Sequence, residues 1–163
     1  MTNNCIFFWK TDEPYGFLSN WYPCILQRWN YTLHSSEQYF MAEKAAFFHD
    51  DEIYSEILKT DSPHKCKELG RMVRGFNSER WDTEKVTAMM TANRCKYMGN
   101  PDLMKKLLAT GDALLVEASP YDGIWGIKLS AEEAAKLPPE EWPGLNLLGK
   151  VLMALREEFR LHR

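Results

Sequence analysis

No stretch of this sequence is both long and apolar enough to span a membrane. The opening MTNNCIFFWK carries no basic region ahead of an extended apolar segment, so neither a spanning helix nor a secretion signal is expected. Cysteine is sparse: Cys5, Cys24, Cys66 and Cys95 stand apart without CxxC spacing, which reads as reduced thiols in a cytoplasmic chain. His64 and Cys66 come nearest to a metal-ligand pair. No further His/Cys cluster completes them, so no metal is expected. Neither sign of charge is in excess: 20 basic against 23 acidic residues give −3, so any nucleic-acid contact needs a local basic patch. GxGxxG, P-loop, GxSxG and HExxH patterns are all missing. Nucleotide hydrolysis by a P-loop, serine esterase chemistry and zinc proteolysis therefore lack their usual parts.

What is present is a globular composition, 45% hydrophobic and 26% charged, with no repeat and no low-complexity linker. The 163 residues read as one domain, 1–163, with a core of its own. A strand is expected over 5–9, and CILQRW and TLHS flank Asn30-Tyr31 as a hairpin. Ser35 with Gln38 has capping-box form and opens a helix to about Phe48; Asp50 caps another through Lys59. Ser62-Pro63 leads a helix to about Arg74, Asp82 starts one to about Met98, and Asn100-Pro101 opens one that Gly111 terminates. A strand over 113–117, a short helix near 130–137, the breaker Pro138-Pro139 and a helix over 146–161 complete the chain. In that last helix Leu148, Leu152, Leu155 and Phe159 recur at helical spacing. Strands at the start and near the end with helices between predict a compact, mostly helical α+β fold with short antiparallel strands.

Two stretches invite chemistry. In SSEQYFMAEKAAFF, an isolated Glu37 is explained by the free N–H groups of a helix start. Phe40, Met41 and Lys44, however, fall at i+3, i+4 and i+7 from it. A face with a carboxylate, an ammonium and two large apolar groups suits the wall of a cleft. In LLVEASPYDGIWG an apolar strand runs into Glu117, Asp122, Trp125 and Gly126. Asp122-Gly123 is a turn signal and Glu117 can be an exposed strand end, yet loops after strands hold ligand groups on a rigid support. Asn146 reads as the N-cap of the last helix, where backbone donors can also meet a phosphate. Carboxylates, a lysine and stacking aromatics are an inventory that fits glycosidic-bond hydrolysis.

These blocks together resemble the YbiA-like, or NADAR, family of N-glycosidases. The likeness runs through FFW, GFLSNWYP, SSEQYFMAEK, Gly70-Arg71, Trp81, LLATGDALLVEASPYDGIWG and WPGLNLLGKVLMALR in order. It implies a compact α+β domain that hydrolyses an N-glycosidic bond without a metal or redox cofactor. The substrates it implies are ADP-ribosyl or phosphoribosyl compounds, such as phosphoribosylamino riboflavin intermediates or ADP-ribosylated guanine in nucleic acid. No membrane partner is implied, and the oligomeric state is left open. Glu37 or Asp122 would activate water, and the other acid, with Glu117, would stabilise the developing cation. Lys44 would bind a phosphate or ribose oxygen or position Glu37. Trp81 and Trp125 would stack on base or sugar beside Gly126, and Ser19, Asn20 and Asn146 would bind substrate. The family pattern continues WGxG, whereas Lys128 stands here in place of the second Gly. A non-catalytic ADP-ribose reader would keep Trp81, Trp125 and Asn146 without needing Glu37; an interaction module would need a large exposed apolar patch.

Overall fold

A computed structural model describes residues 4–162. In chain order it contains β1 (Cys5–Phe8), β2 (Leu26–Arg28), β3 (Tyr31–Leu33), α1 (Ser36–Phe47), α2 (Asp51–Leu58), α3 (Pro63–Arg71), α4 (Ser78–Met98), α5 (Pro101–Ala109), β4 (Leu114–Glu117), α6 (Ala131–Ala134) and α7 (Leu147–Leu161). The α+β class and the helical majority are as expected. The chain forms two compact units: a central one, Asn20–Asp102, and a terminal one built from the residues up to Ser19 and from Leu103 onward.

In the central unit β2 and β3 form the antiparallel hairpin, with Leu26 opposite Leu33. Helix α1 follows at once. The Ser35 hydroxyl accepts from the Gln38 N–H at 3.1 Å, but the return half of the capping box is displaced by one residue. Gln38 Oε1 accepts from His34 N–H at 2.8 Å, while Nε2 donates to the Ile57 and Thr60 carbonyls, which a helix end leaves without intrahelical partners. Asp50 caps α2, taking Ile53 N–H on Oδ1 and the Arg74 N–H on Oδ2. The Arg74 guanidinium also bonds this carboxylate and holds its pKa well below the usual carboxylate range. That grip on Arg74 draws the chain off the helical path, so α3 ends at Arg71 and not at Arg74. Asn77, whose side chain accepts from Arg80 N–H, starts α4 about one turn before the expected Asp82.

In the terminal unit β1 and β4 pair in parallel, Cys5 with Leu114 through Phe8 with Glu117. This corrects the expectation of antiparallel strands throughout. A parallel pair needs a long crossover, and here most of the chain lies between the two strands. The apolar stripe of α7 is buried as predicted: Leu148, Leu152 and Leu155 are fully enclosed and Phe159 nearly so. Helix α7 sits very close to β4, because Gly149 stands where any Cβ would lie 2.1 Å from the Leu115 carbonyl oxygen. Val116, Ile127 and Ala134 form a buried cluster with Phe7, Leu129 and Trp142 around it.

One core residue of the central unit was not foreseen. Lys96 on α4 is fully buried, its ammonium 5.1 Å from the Tyr97 ring centre and 5.8 Å from that of Tyr22. Burial pushes its pKa down to about 8, against a smaller opposing effect of Cys24. Below pH 8 the amine is charged in both folded and unfolded chains. Between 8 and the unfolded value of 10.5 the folded chain binds fewer protons, so its stability rises with pH. Relative to Lys96→Met, the parent is expected to gain up to about 3 kcal/mol between pH 8 and 10.5. Denaturant unfolding of both proteins across that range checks it, and parallel pH profiles would contradict it.

Candidate active site

The central unit carries Glu37, Lys44, Trp81 and Asn20. Glu37 lies in the first turn of α1 and is only 6% exposed. Its backbone N–H donates to the Asn20 carbonyl at 3.0 Å, and Ser36 Oγ donates to Asn20 Oδ1 at 3.0 Å. Asn93, fully buried on α4, donates to the same Oδ1 at 3.3 Å, and Asn20 Nδ2 points at Met89 Sδ. The Asn20 side chain therefore fastens the start of α1 to α4. Its amide, expected as a donor to substrate, makes these contacts inside the fold.

Lys44 is two turns along the same face, half-buried, with its ammonium 4.7 Å from the centre of the Phe76 ring. Burial lowers its pKa, the Glu37 charge raises it, and the Arg71 charge lowers it again. The Glu37 charge also reaches Cys66, whose thiol is pushed up to about 12, chiefly by burial. Glu37 and Lys44 thus share one electrostatic neighbourhood, as their spacing predicts. Trp81 is placed differently from expectation. It is 7% exposed and packs against Phe40, Phe47 and Phe48 with ring centres 5.5 to 6.1 Å apart. The spacing of those three phenylalanines, i, i+7 and i+8 along α1, was a legible signal of an apolar stripe. Trp81 packs as an indole of that stripe.

The terminal unit carries Glu117, Asp122, Trp125, Gly126, Asn146 and Ser19. Glu117 ends β4; its N–H donates to Asn146 Oδ1 at 3.0 Å and its carbonyl accepts from Ile127 N–H. Asn146 Nδ2 donates to the Leu115 carbonyl at 2.9 Å. The expected N-cap bond is absent, because Asn146 adopts a left-handed backbone, φ 52°, and turns its amide onto β4. Asparagine tolerates that conformation better than most residues. Its side chain is a clamp on the strand that carries Glu117. Asp122 Oδ1 accepts from the N–H groups of Ile124 and Trp125, both at 2.9 Å, closing a turn of its own. A Cβ on Gly126 would lie 3.2 Å from the Glu117 carboxylate and 2.9 Å from two carbonyl oxygens, so only glycine fits beside that acid. Trp125 is half-buried, and Ser19 is buried at the end of a 3-10 turn. Lys128 adopts φ 61°, the left-handed region that glycine enters freely, so it keeps the backbone course that a glycine would take. A cavity of about 670 Å³ elsewhere in this unit, lined by Cys5, Tyr15, Phe17, Lys106 and Thr110 among others, includes no predicted site residue.

Among the described residues no group of three or more His, Cys, Asp or Glu side chains is placed to hold a metal ion. His64 faces Glu68 at 3.0 Å, and Cys66 is fully buried. All four cysteines are free thiols. No helix among the described residues is long and apolar enough to cross a membrane. The sequence reading missed Asn93 and Phe76 and took Arg71 only as part of the Gly70-Arg71 block; Asn93 is a long-range contact, and Phe76 lies beyond α3 without any motif of its own.

Comparison with known proteins adds a family to this geometry. The NADAR domain model matches residues 7–160. An N-glycosidase of Acanthamoeba polyphaga mimivirus is 52% identical over 124 residues, covering 76% of this chain and 73% of that one. A riboflavin biosynthesis protein of Vibrio vulnificus is 32% identical over 157 residues; the match takes in 96% of this chain but only 39% of that protein. The solution structure of Escherichia coli YbiA superposes with a TM-score of 0.80 at 30% identity, covering 99% of this chain and 89% of that one.

The placement of Trp81 gives a stability prediction. Trp81→Ala should lower folding stability by about 3–5 kcal/mol, the range for truncating a packed aromatic. Thermal melting measures it; a variant that melts with the parent would return Trp81 to the role of an exposed stacking surface.

Proposed function

Because the chain belongs to the NADAR domain family, we infer that it is an N-glycosidase, a hydrolase acting on N-glycosyl bonds. The observation that carries the chemical assignment is Glu37: a carboxylate 6% exposed, fixed by its own backbone N–H, on the same helix face as a half-buried ammonium. A carboxylate held this way can take a proton from water as the water oxygen attacks the anomeric carbon. The new C–O bond replaces the C–N bond, and the leaving nitrogen departs with a proton. Lys44 shares the electrostatic neighbourhood of Glu37, whose charge favours the ammonium against the opposing effect of burial.

Asp122 is a weaker candidate for the base, since Oδ1 already closes its own turn with two N–H groups. Glu117 is assigned to the charge that develops on the sugar, and Trp125 to stacking. Asn20 and Asn146 are positioning residues for Glu37 and Glu117. The substrates proposed are phosphoribosylamino intermediates of riboflavin synthesis and ADP-ribosylated guanine in nucleic acid. The relatives named as N-glycosidases and as riboflavin biosynthesis proteins support the first, and the family resemblance supports both.

Glu37→Gln keeps the size and polarity of the side chain and removes the base. Turnover should fall at least ~10²-fold with KM little changed. Steady-state kinetics on a variant that melts like the parent measures this. Near-parental turnover would move the base to the terminal unit's acids.

A further inference from the structure

The cavity of about 670 Å³ in the terminal unit lies around Cys5, at the start of β1, whereas Glu117 pairs with the other end of that strand at Phe8. Its volume falls in the range of small-ligand pockets, about 300–1,000 Å³. Two rings stand in its wall: Phe17, which is buried, and Tyr15, which is 41% exposed, with centres 6.4 Å apart. The Lys106 ammonium on α5 lies over the Phe17 ring at 5.7 Å. Among the described residues Lys106 makes no ion pair, although Asp102 stands one turn earlier on the same helix. A second cation stands behind the wall. Arg156 on α7 is 6% exposed, and its guanidinium donates to Thr110 Oγ1 at 2.9 Å, a hydroxyl of a residue that lines the cavity. That neutral oxygen is its one hydrogen-bond partner among the described residues. The acids Asp112 and Glu157 are taken instead by Arg160, one turn further along α7, at 2.9 and 3.2 Å.

A guanidinium buried without a carboxylate costs stability, and an anion brought into the cavity would offset that cost. Two cations without acids of their own suit a dianion: a phosphate monoester carries about −1.5 to −2 charges, a carboxylate only one. The Phe17 ring holds the Lys106 ammonium in place, so little side-chain freedom is lost when an anion arrives. The exposed Tyr15 ring offers a flat apolar face to a second ring. We propose that this cavity binds a nucleoside monophosphate, its phosphate on Lys106 beside the Thr110–Arg156 pair and its base against Tyr15. None of these residues is assigned to glycoside cleavage, so the site stands apart from the N-glycosidase reading and does not depend on it.

Amide chemical-shift mapping on the full chain tests this without turnover, using adenosine monophosphate, adenosine and inorganic phosphate as probes. Adenosine monophosphate should saturably shift the amides of Cys5, Phe17 and Thr110. Adenosine and inorganic phosphate should each bind there about tenfold or more weakly, since each lacks one half of the contacts. Lys106→Gln should weaken the nucleotide by about tenfold or more and leave adenosine unaffected. Lys105→Gln removes the same charge from the preceding position of α5 and should change neither. Tyr15→Ala should weaken the nucleotide and adenosine alike, and Arg156→Gln should weaken the nucleotide more than adenosine. If Arg156→Gln melts below the parent, the variants at the exposed positions Lys106 and Tyr15 still decide the matter. The proposal is overturned if those amides show no saturable shift, or if either half-probe binds as tightly as the nucleotide. A Lys106→Gln protein that binds the nucleotide like the parent overturns it as well. Nucleotide shifts confined to the surroundings of Glu37 or Glu117 would do the same, by placing the ligand at the candidate glycosidase residues.

Discussion

Each of two candidate acids is held through its own backbone by an asparagine. Glu37 N–H bonds the Asn20 carbonyl in the central unit, and Glu117 N–H bonds the Asn146 side chain in the terminal unit. At the start of a helix the first N–H groups have no intrahelical acceptor, so Asn20 satisfies a donor that would otherwise need water. At the end of β4 the Asn146 amide bonds both the Glu117 N–H and the Leu115 carbonyl, completing the backbone of a strand on which α7 packs. What each supplies is a fixed position for a carboxylate. A base that is already oriented loses little freedom when water and substrate arrive.

Charge and packing near Glu37 follow from the same helix. One face of α1 bears Glu37 and Lys44, and the phenylalanines of that helix gather Trp81 into the core. Charged and aromatic groups are therefore sorted by position along a single element. Glu37 sits at the N-terminal end, where the helix dipole favours a carboxylate. Lys44 sits in the last turn, where a cation is favoured for the same reason.

Local signals were the legible ones. Ser35, Asp50 and Ser62 cap their helices as their spacing predicted, and the stripe of α7 is buried as read. These features depend on residues three or four apart, so a sequence displays them directly. Long-range pairings were not legible. The parallel union of β1 with β4 joins segments over a hundred residues apart, and the Asn146 clamp reaches back about thirty residues to β4. The packing of Trp81 against Phe40, Phe47 and Phe48 was not legible, because an indole beside polar residues resembles a ligand platform until its neighbours are known. The Asn77 cap of α4 was overlooked because Asp82 offered a second plausible start one turn later. The family blocks carried the candidate site residues, while the bonds of Asn20 and Asn146 to the backbones of Glu37 and Glu117 were beyond them.

The central claim is that this chain breaks an N-glycosidic bond by hydrolysis. The direct measurement is mass spectrometry of the products after incubating the purified chain with an oligonucleotide bearing ADP-ribosylated guanine, and separately with a phosphoribosylamino riboflavin intermediate. The account predicts release of the free base or amine together with the corresponding sugar phosphate from at least one of them. Recovery of both substrates intact, with either one bound to the protein, would contradict it and identify a non-catalytic reader.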